Sequence, residues 1–284
     1  MGFFSKDRIR KRWSKILGFV WSHRSQIIKV VVDVAAEKIK DNSSAKGDEI
    51  VDKVKSELDK VLPIFLLCLL PIAFGCASIP TIEDIPRRDY VALGDSVTAG
   101  VGANGVVDLK DPFSSVDRGK AYPYLVTKAL GVKHANFAVP GAMADDVNRI
   151  QVALALLSAP KTITLWVGGN DLVQGRAPEA YGADLMNILS SLIESDAKIL
   201  VLNLPDVWKA GRFVEAPDKD VTEKRVAAFN LKTSAVAKTY GVTLVDISGP
   251  DLVAPELLAN DQFHVNEAGH KYLSGKVLAA INAK

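Results

Sequence analysis

The chain has 284 residues, a net charge of +2, 48% hydrophobic residues and only two cysteines, Cys68 and Cys76. That is enough apolar material for one large domain plus extra segments, and too few thiols for a disulfide framework or a thiolate metal site. Up to residue 75, 14 Lys/Arg stand against 9 Asp/Glu (+5), and from residue 76 on, 21 stand against 24 (−3). A basic leader before a mildly acidic body, with no basic stripe interleaved with aromatics, argues against nucleic-acid binding.

Residues 1–60 begin with Arg8, Arg10, Lys11, Arg12 and Lys15, followed by the apolar runs Ile16–Trp21 and Ile27–Val34. This leader reads either as an amphipathic helix on an anionic membrane surface or as a solvated helix with no role of its own. Residues 61–76 form an apolar stretch with two prolines, Pro63 and Pro71. It is short of the roughly 20 residues that a membrane-spanning helix needs. It suits the apolar region of a secretory signal, usually ~7–15 residues long. Gly75-Cys76 resembles a lipoprotein lipobox, which implies lipid attachment at Cys76, although Ala73 and Phe74 depart from the usual pattern. Some 60 residues precede this signal, and no methionine lies between Met1 and Met143. The arrangement reads as a mis-assigned start or a fused upstream segment, or else as a cytoplasmic tail on a signal-anchor. Each reading puts the body outside the cytoplasm, membrane-anchored through Cys76 or the apolar segment. Residues 77–88, with Pro80 and Pro86, read as a tether.

From residue 89 the pattern alternates strand and helix. Tyr90–Leu93 is a buried strand cut off by Gly94. A helix is expected over 121–130, a strand over 135–139, a helix over 145–157 and a strand over 162–167. A helix over 181–194, a strand over 198–202, a helix over 221–238, a strand over 242–247 and a closing helix over 267–281 complete the series. Repeated strand–helix units imply a three-layer αβα sandwich around a five-stranded parallel sheet in a flavodoxin-like order. Ligands should gather at the carboxyl edge of that sheet.

The polar residues collect at that edge. Gly94-Asp-Ser96 follows the first strand, Pro140-Gly141 the second and Gly168-Gly-Asn-Asp171 the third, while Asp261-Gln-Phe-His264 comes after the last. These four blocks, in this order, resemble those of the SGNH (GDSL) hydrolases over residues 89–284. One departure is Ala138, where many relatives carry glycine. The resemblance implies a serine nucleophile at Ser96, with acid and base drawn from one short segment.

The residue chemistry agrees. A serine hydroxyl needs an adjacent base, and a histidine, whose free side chain titrates at about 6.5, suits that task, here as His264. Asp261, three residues earlier, is expected on the same side of a helical turn, holding the imidazole tautomer. The Ser96 amide, the Gly141 amide and the Asn170 side chain are the expected oxyanion donors.

Other motifs read as structure. Gly100–Gly105 matches G-x-G-x-x-G without a strand before it or a helix after it, and is taken as a loop. His270 is read as structural, Asp95 as a helix cap, and Asp171 as a cap on the turn after the third strand. His23 and His134 are not placed for catalysis. No His/Asp cluster has metal-ligand spacing, and neither metal nor cofactor is expected. Val101–Gly119 is expected to line the site entrance, with Phe113 as an apolar contact.

The reading is a serine esterase or lipase-type acyl hydrolase acting on a small-molecule or envelope ester through an acyl-serine intermediate. The alternatives are a polysaccharide O-acetyl esterase of the same fold and a non-catalytic glycan- or lipid-binding surface lipoprotein. A third is an anchoring protein whose activity lies in residues 1–60.

Overall fold

The computed structural model describes residues 88–283. The 1–60 leader, the 61–76 segment with Cys76, and the tether up to residue 87 lie outside the described residues. Strand β1 (Tyr90–Gly94) is buried along its whole length. A strand covered on both faces has no solvent side, which is why Tyr-Val-Ala-Leu runs apolar without alternation. It is flanked by β2 (His134–Asn136) and β3 (Thr162–Trp166), followed outward by β4 (Lys198–Leu202) and β5 (Thr243–Val245). The sheet order is β2-β1-β3-β4-β5, and every pair is parallel. The chain winds outward from β1 to β2, then crosses back to β3 on the other side of β1. The carboxyl ends of β1 and β3 therefore flank the switch point, where a crevice opens in doubly wound sheets.

The helices are α1 (Ser96–Ala99), α2 (Tyr122–Leu130), α3 (144–157), α4 (Gly169–Val173), α5 (Pro178–Leu192), α6 (Gly211–Glu215), α7 (Glu223–Tyr240) and α8 (Glu267–Asn282). Helix α2 packs with α8 over one face of the sheet, and α3 and α7 pack with α5 over the other. The core joins Val91, Leu93, Ile163, Leu165 and Leu200 of the strands to Leu185, Leu189, Phe229, Leu273 and Val277 of the helices. Among the described residues no helix is long and apolar enough to cross a membrane.

Three details depart from the sequence expectation. Strands β2 and β5 are shorter than the expected 135–139 and 242–247, although Phe137 N and Val139 N still donate to Ala92 O (2.9 Å) and Gly94 O (3.2 Å) of β1. Helix α3 contains a π turn, Val147–Gln151. Such a turn rotates the residues beyond it, and here it carries Gln151 inward, where it is 1% exposed. The short helices α1, α4 and α6 carry no amphipathic repeat that periodicity could register.

Candidate active site

Gly94 ends β1 with φ +153°, and a Cβ there would strike the Trp166 carbonyl of β3, so only glycine fits between the two strands. Its backbone is clamped by Gln151 of α3. Gly94 N donates to Gln151 Oε1 and Gln151 Nε2 donates to Gly94 O, both at 2.8 Å. Asp95 then caps α1, its Oδ1 accepting from Val97 N at 3.1 Å, as expected. Ser96 opens the helix with its side chain at the crevice.

The partners of Ser96 come from the segment after β5. His264 Nε2 lies 2.9 Å from Ser96 Oγ, and His264 Nδ1 lies 2.6 Å from Asp261 Oδ2. With Nδ1–H donated to the carboxylate, the Nε2 lone pair faces the serine hydroxyl. The Asp261–His264 segment is not the expected helical turn. Gln262 sits at φ +56°, and this left-handed residue folds the chain so that Asp261 Oδ1 accepts from both Phe263 N (3.1 Å) and His264 N (3.0 Å). The strained residue is held from outside by α6: Arg212 N donates to Gln262 O (3.3 Å) and Gln262 Nε2 donates to Glu215 Oε1 (3.1 Å). Burial pushes the Asp261 carboxyl up, but the His264 hydrogen bond, the His264 charge and the two amides outweigh it, and the group lies below its ordinary value.

Two further elements stand at the same sheet edge, after β2 and after β3. Val139-Pro-Gly-Ala142 is a tight turn in which Ala142 N donates to Val139 O at 3.1 Å. Proline second and glycine third at φ +83° are the signature of a type II turn. The Gly141 N–H takes no part in that turn's hydrogen bond. Neither it nor Ser96 N has a partner among the described residues. Upstream, Asn136 Nδ2 donates to Thr98 O (2.7 Å) of α1, and Arg118 holds Asn136 O (3.1 Å) and Ala138 O (3.0 Å). From α4, Asn170 Nδ2 donates to Ala142 O at 3.0 Å. An amide has two N–H groups, so one is left over by this bond, and Asn170 and Ser96 line the same cleft. Ser96, Gly141, Asn170, Asp261 and His264 thus lie in the four segments that follow β1, β2, β3 and β5.

Asp171 is not the expected cap, since α4 has no side-chain cap hydrogen bond. It is completely buried, and its Oδ2 accepts from Ala144 N (3.0 Å), the start of α3, while Oδ1 accepts from Arg176 Nη1 (2.7 Å). Burial raises the Asp171 carboxyl, with Arg176 and the Ala144 amide acting against it. Asp95 is raised further, to about 7, by burial first, with the Asp171 charge adding to the rise and the Val97 amide and His264 opposing it. His270, expected to be structural, is fully buried; it accepts from Tyr122 N at 3.2 Å through Nδ1, and burial depresses it to about 3. His134 lies at the start of β2.

An apolar cleft runs from Ser96 and Asn170 toward β4 and β5, walled by Leu204, Val207, Leu252, Val253, Phe263 and Val265. The expected entrance, Val101–Gly119, is not part of that wall. Val101 and Val107 are buried against Ala259, and Phe113 is 54% exposed. Residues 204–207 and 252–253 carried no signal in the sequence because they lie in connecting segments whose only regular structure is a single 3-10 turn each, Val207–Lys209 and Asp251–Val253, too short to show a period. Among the described residues no group of three or more His, Cys, Asp or Glu side chains is arranged to hold a metal ion.

A doubly wound sheet with a hydroxyl–imidazole–carboxylate chain at its carboxyl edge is an arrangement of ester-cleaving hydrolases. The sequence profile of the GDSL-like lipase/acylhydrolase family matches residues 92–272, and the chain belongs to that family. Solved structures share the fold. A lipase/acylhydrolase from Enterococcus faecalis has 20% identity and a TM-score of 0.54, over 68% of this chain and 94% of its own. A psychrotrophic esterase from Pseudoalteromonas sp. has 12% identity and a TM-score of 0.52, over 68% and 96%. An acetyl xylan esterase has 18% identity and a TM-score of 0.52, over 68% and 99%. No curated protein sequence matches the chain.

Proposed function

We propose that the protein hydrolyses carboxylic esters of aliphatic acyl groups through an acyl-enzyme on Ser96. The observation that carries this reading is the Ser96–His264–Asp261 chain, at 2.9 and 2.6 Å. His264 Nε2 takes the Ser96 proton as Oγ bonds to the ester carbonyl carbon, and the carbonyl electrons move onto oxygen. Asp261 holds the Nδ1–H tautomer and stabilises the imidazolium that forms. The oxyanion is met by the Ser96 and Gly141 amides and the free N–H of Asn170. Collapse breaks the ester C–O bond, and His264 returns the proton to the departing alcohol. Water, deprotonated by the same imidazole, then releases the acid and restores Ser96.

The apolar cleft supports an acyl chain longer than acetyl, because each buried CH₂ contributes about 0.8 kcal/mol. That separates this reading from acetyl removal, the activity named for the acetyl xylan esterase of the same fold. Wild type should be labelled at Ser96 by an alkyl fluorophosphonate, and Ser96→Ala should fold yet hydrolyse p-nitrophenyl esters only at background. Among the acetate, butyrate and octanoate esters, kcat/KM should be lowest for acetate. Label on a different serine with Ser96→Ala still active would sink the nucleophile, and acetate as the best substrate would sink the acyl assignment. The proposal includes an extracytoplasmic anchor at Cys76, for which Cys76→Ser should release the body from the membrane fraction without altering its activity.

A further inference from the structure

The two oxyanion donors outside Ser96, Gly141 in a turn and Asn170 on α4, are distant in sequence, so something must set their separation. Asn170 and Asp171, adjacent on α4, hold the Gly141 loop at two points. Asn170 Nδ2 reaches Ala142 O and Asp171 Oδ2 receives Ala144 N, each at 3.0 Å. A cap needs only its own turn, whereas Asp171 reaches 27 residues back. Its other oxygen is held by Arg176 Nη1 at 2.7 Å, so the carboxylate cannot swing away. Arg176 is fixed in turn. Its Nη2 donates to Asp184 Oδ2 of α5 (2.6 Å), its amide to Asp171 O (2.9 Å), and its carbonyl accepts from Arg225 Nη2 of α7 (2.8 Å).

We propose that Asp171 and Arg176 are positioning residues which set the Gly141 amide and the Asn170 side chain at one spacing, and so govern the rate of the chemical step. The proposal rests on the esterase reading above. A buried carboxylate that loses the guanidinium paired with it takes up a proton or turns toward water, and either event releases the start of α3. The Gly141 donor then drifts relative to Asn170, and a displacement near 1 Å suffices for a loss of about 100-fold. Ground-state binding through the apolar cleft is untouched, since neither residue lines it.

The test compares wild type with Asp171→Asn, Arg176→Met and Arg176→Lys, each alone and with Asn170→Ala, on p-nitrophenyl butyrate. Rates are expressed per active site by stoichiometric fluorophosphonate labelling, so that a lower folded fraction does not register. Asp171→Asn and Arg176→Met should lower kcat per labelled site about 10- to 100-fold with KM within about twofold. Arg176→Lys, which keeps the charge but not the fork, should fall between them and wild type. On the Asn170→Ala background the loss should shrink, because one of the two donors being spaced is already gone. Unchanged kcat per labelled site, or losses that multiply in full with Asn170→Ala, would overturn the proposal. If Arg176→Met fails to fold, the lysine and asparagine variants decide it by the same readout. Wild type that takes no label at Ser96 would instead overturn the esterase reading.

Discussion

Replacing Gln151 with leucine isolates the clamp on the residue that precedes the nucleophile turn. Leucine keeps most of the side-chain volume and removes both hydrogen bonds to Gly94. The Gly94 amide then has no partner in a site with Gln151 1% exposed, while its carbonyl keeps a bond from Val139 N at 3.2 Å. One orphaned buried donor costs about 1–3 kcal/mol and one weakened acceptor about 1 kcal/mol, so a loss of about 3 kcal/mol is expected. For a domain of about 150–250 residues this lowers Tm by about 6–12 °C. Gln151→Glu sharpens the test. A protonated glutamic acid can both accept from Gly94 N and donate to Gly94 O, whereas the carboxylate can only accept. Its deficit against wild type should therefore be small at pH 4 and grow toward pH 7. Chemical denaturation of the three proteins at several pH values measures this. A Gln151→Leu loss below about 1 kcal/mol, or a Gln151→Glu deficit that does not vary with pH, would refute the clamp.

In steady-state assays, Asn170→Ala should lower kcat by ~10²–10³-fold, about 2.7–4 kcal/mol, with KM little changed; a rise in KM alone would make Asn170 a binding group. Asn170→Asp should be worse, since it sets a carboxylate against the oxyanion. His264→Ala should be as inactive as Ser96→Ala by the same assay, while His270→Ala should lose mainly thermal stability, and an inactive but stably folded His270→Ala would reverse the assignment. Asp95 gives a pH signature in stability. Below its ordinary 3.8 both states hold the proton, and between 3.8 and about 7 the folded protein holds more than the unfolded chain, so this carboxyl lowers stability as pH rises through that window. Asp95→Asn keeps the cap to Val97 N and should gain on wild type by about 2–4 kcal/mol between pH 4 and 7, then level off. A flat difference in urea midpoints across that range would contradict the buried-acid account.

Much of the scaffold was legible because parallel strands buried on both faces run mostly apolar, as Tyr90–Leu93 and Lys198–Leu202 do after their first residues and as Thr162–Trp166 does apart from the buried Thr164, whose hydroxyl bonds Tyr90. Ser96, Gly141, Asn170, Asp261 and His264 each stand just past such a run or in the segment after β5, in blocks short enough to read as motifs. Their convergence follows from the sheet order, so the sequence by itself determined the architecture and named the groups the fold would gather. Only the tertiary structure decided how those groups are held. The Gln151–Gly94 clamp joins residues 57 apart, and the Asp171–Ala144 contact joins residues 27 apart. The apolar cleft wall unites the segments after β4 and β5. The π turn in α3 and the left-handed Gln262 have no periodic or compositional mark. A local pattern reports which face of an element is apolar; which polar side chain meets which distant backbone group depends on where packing stops each element, to within an ångström, and that is a property of the assembled core.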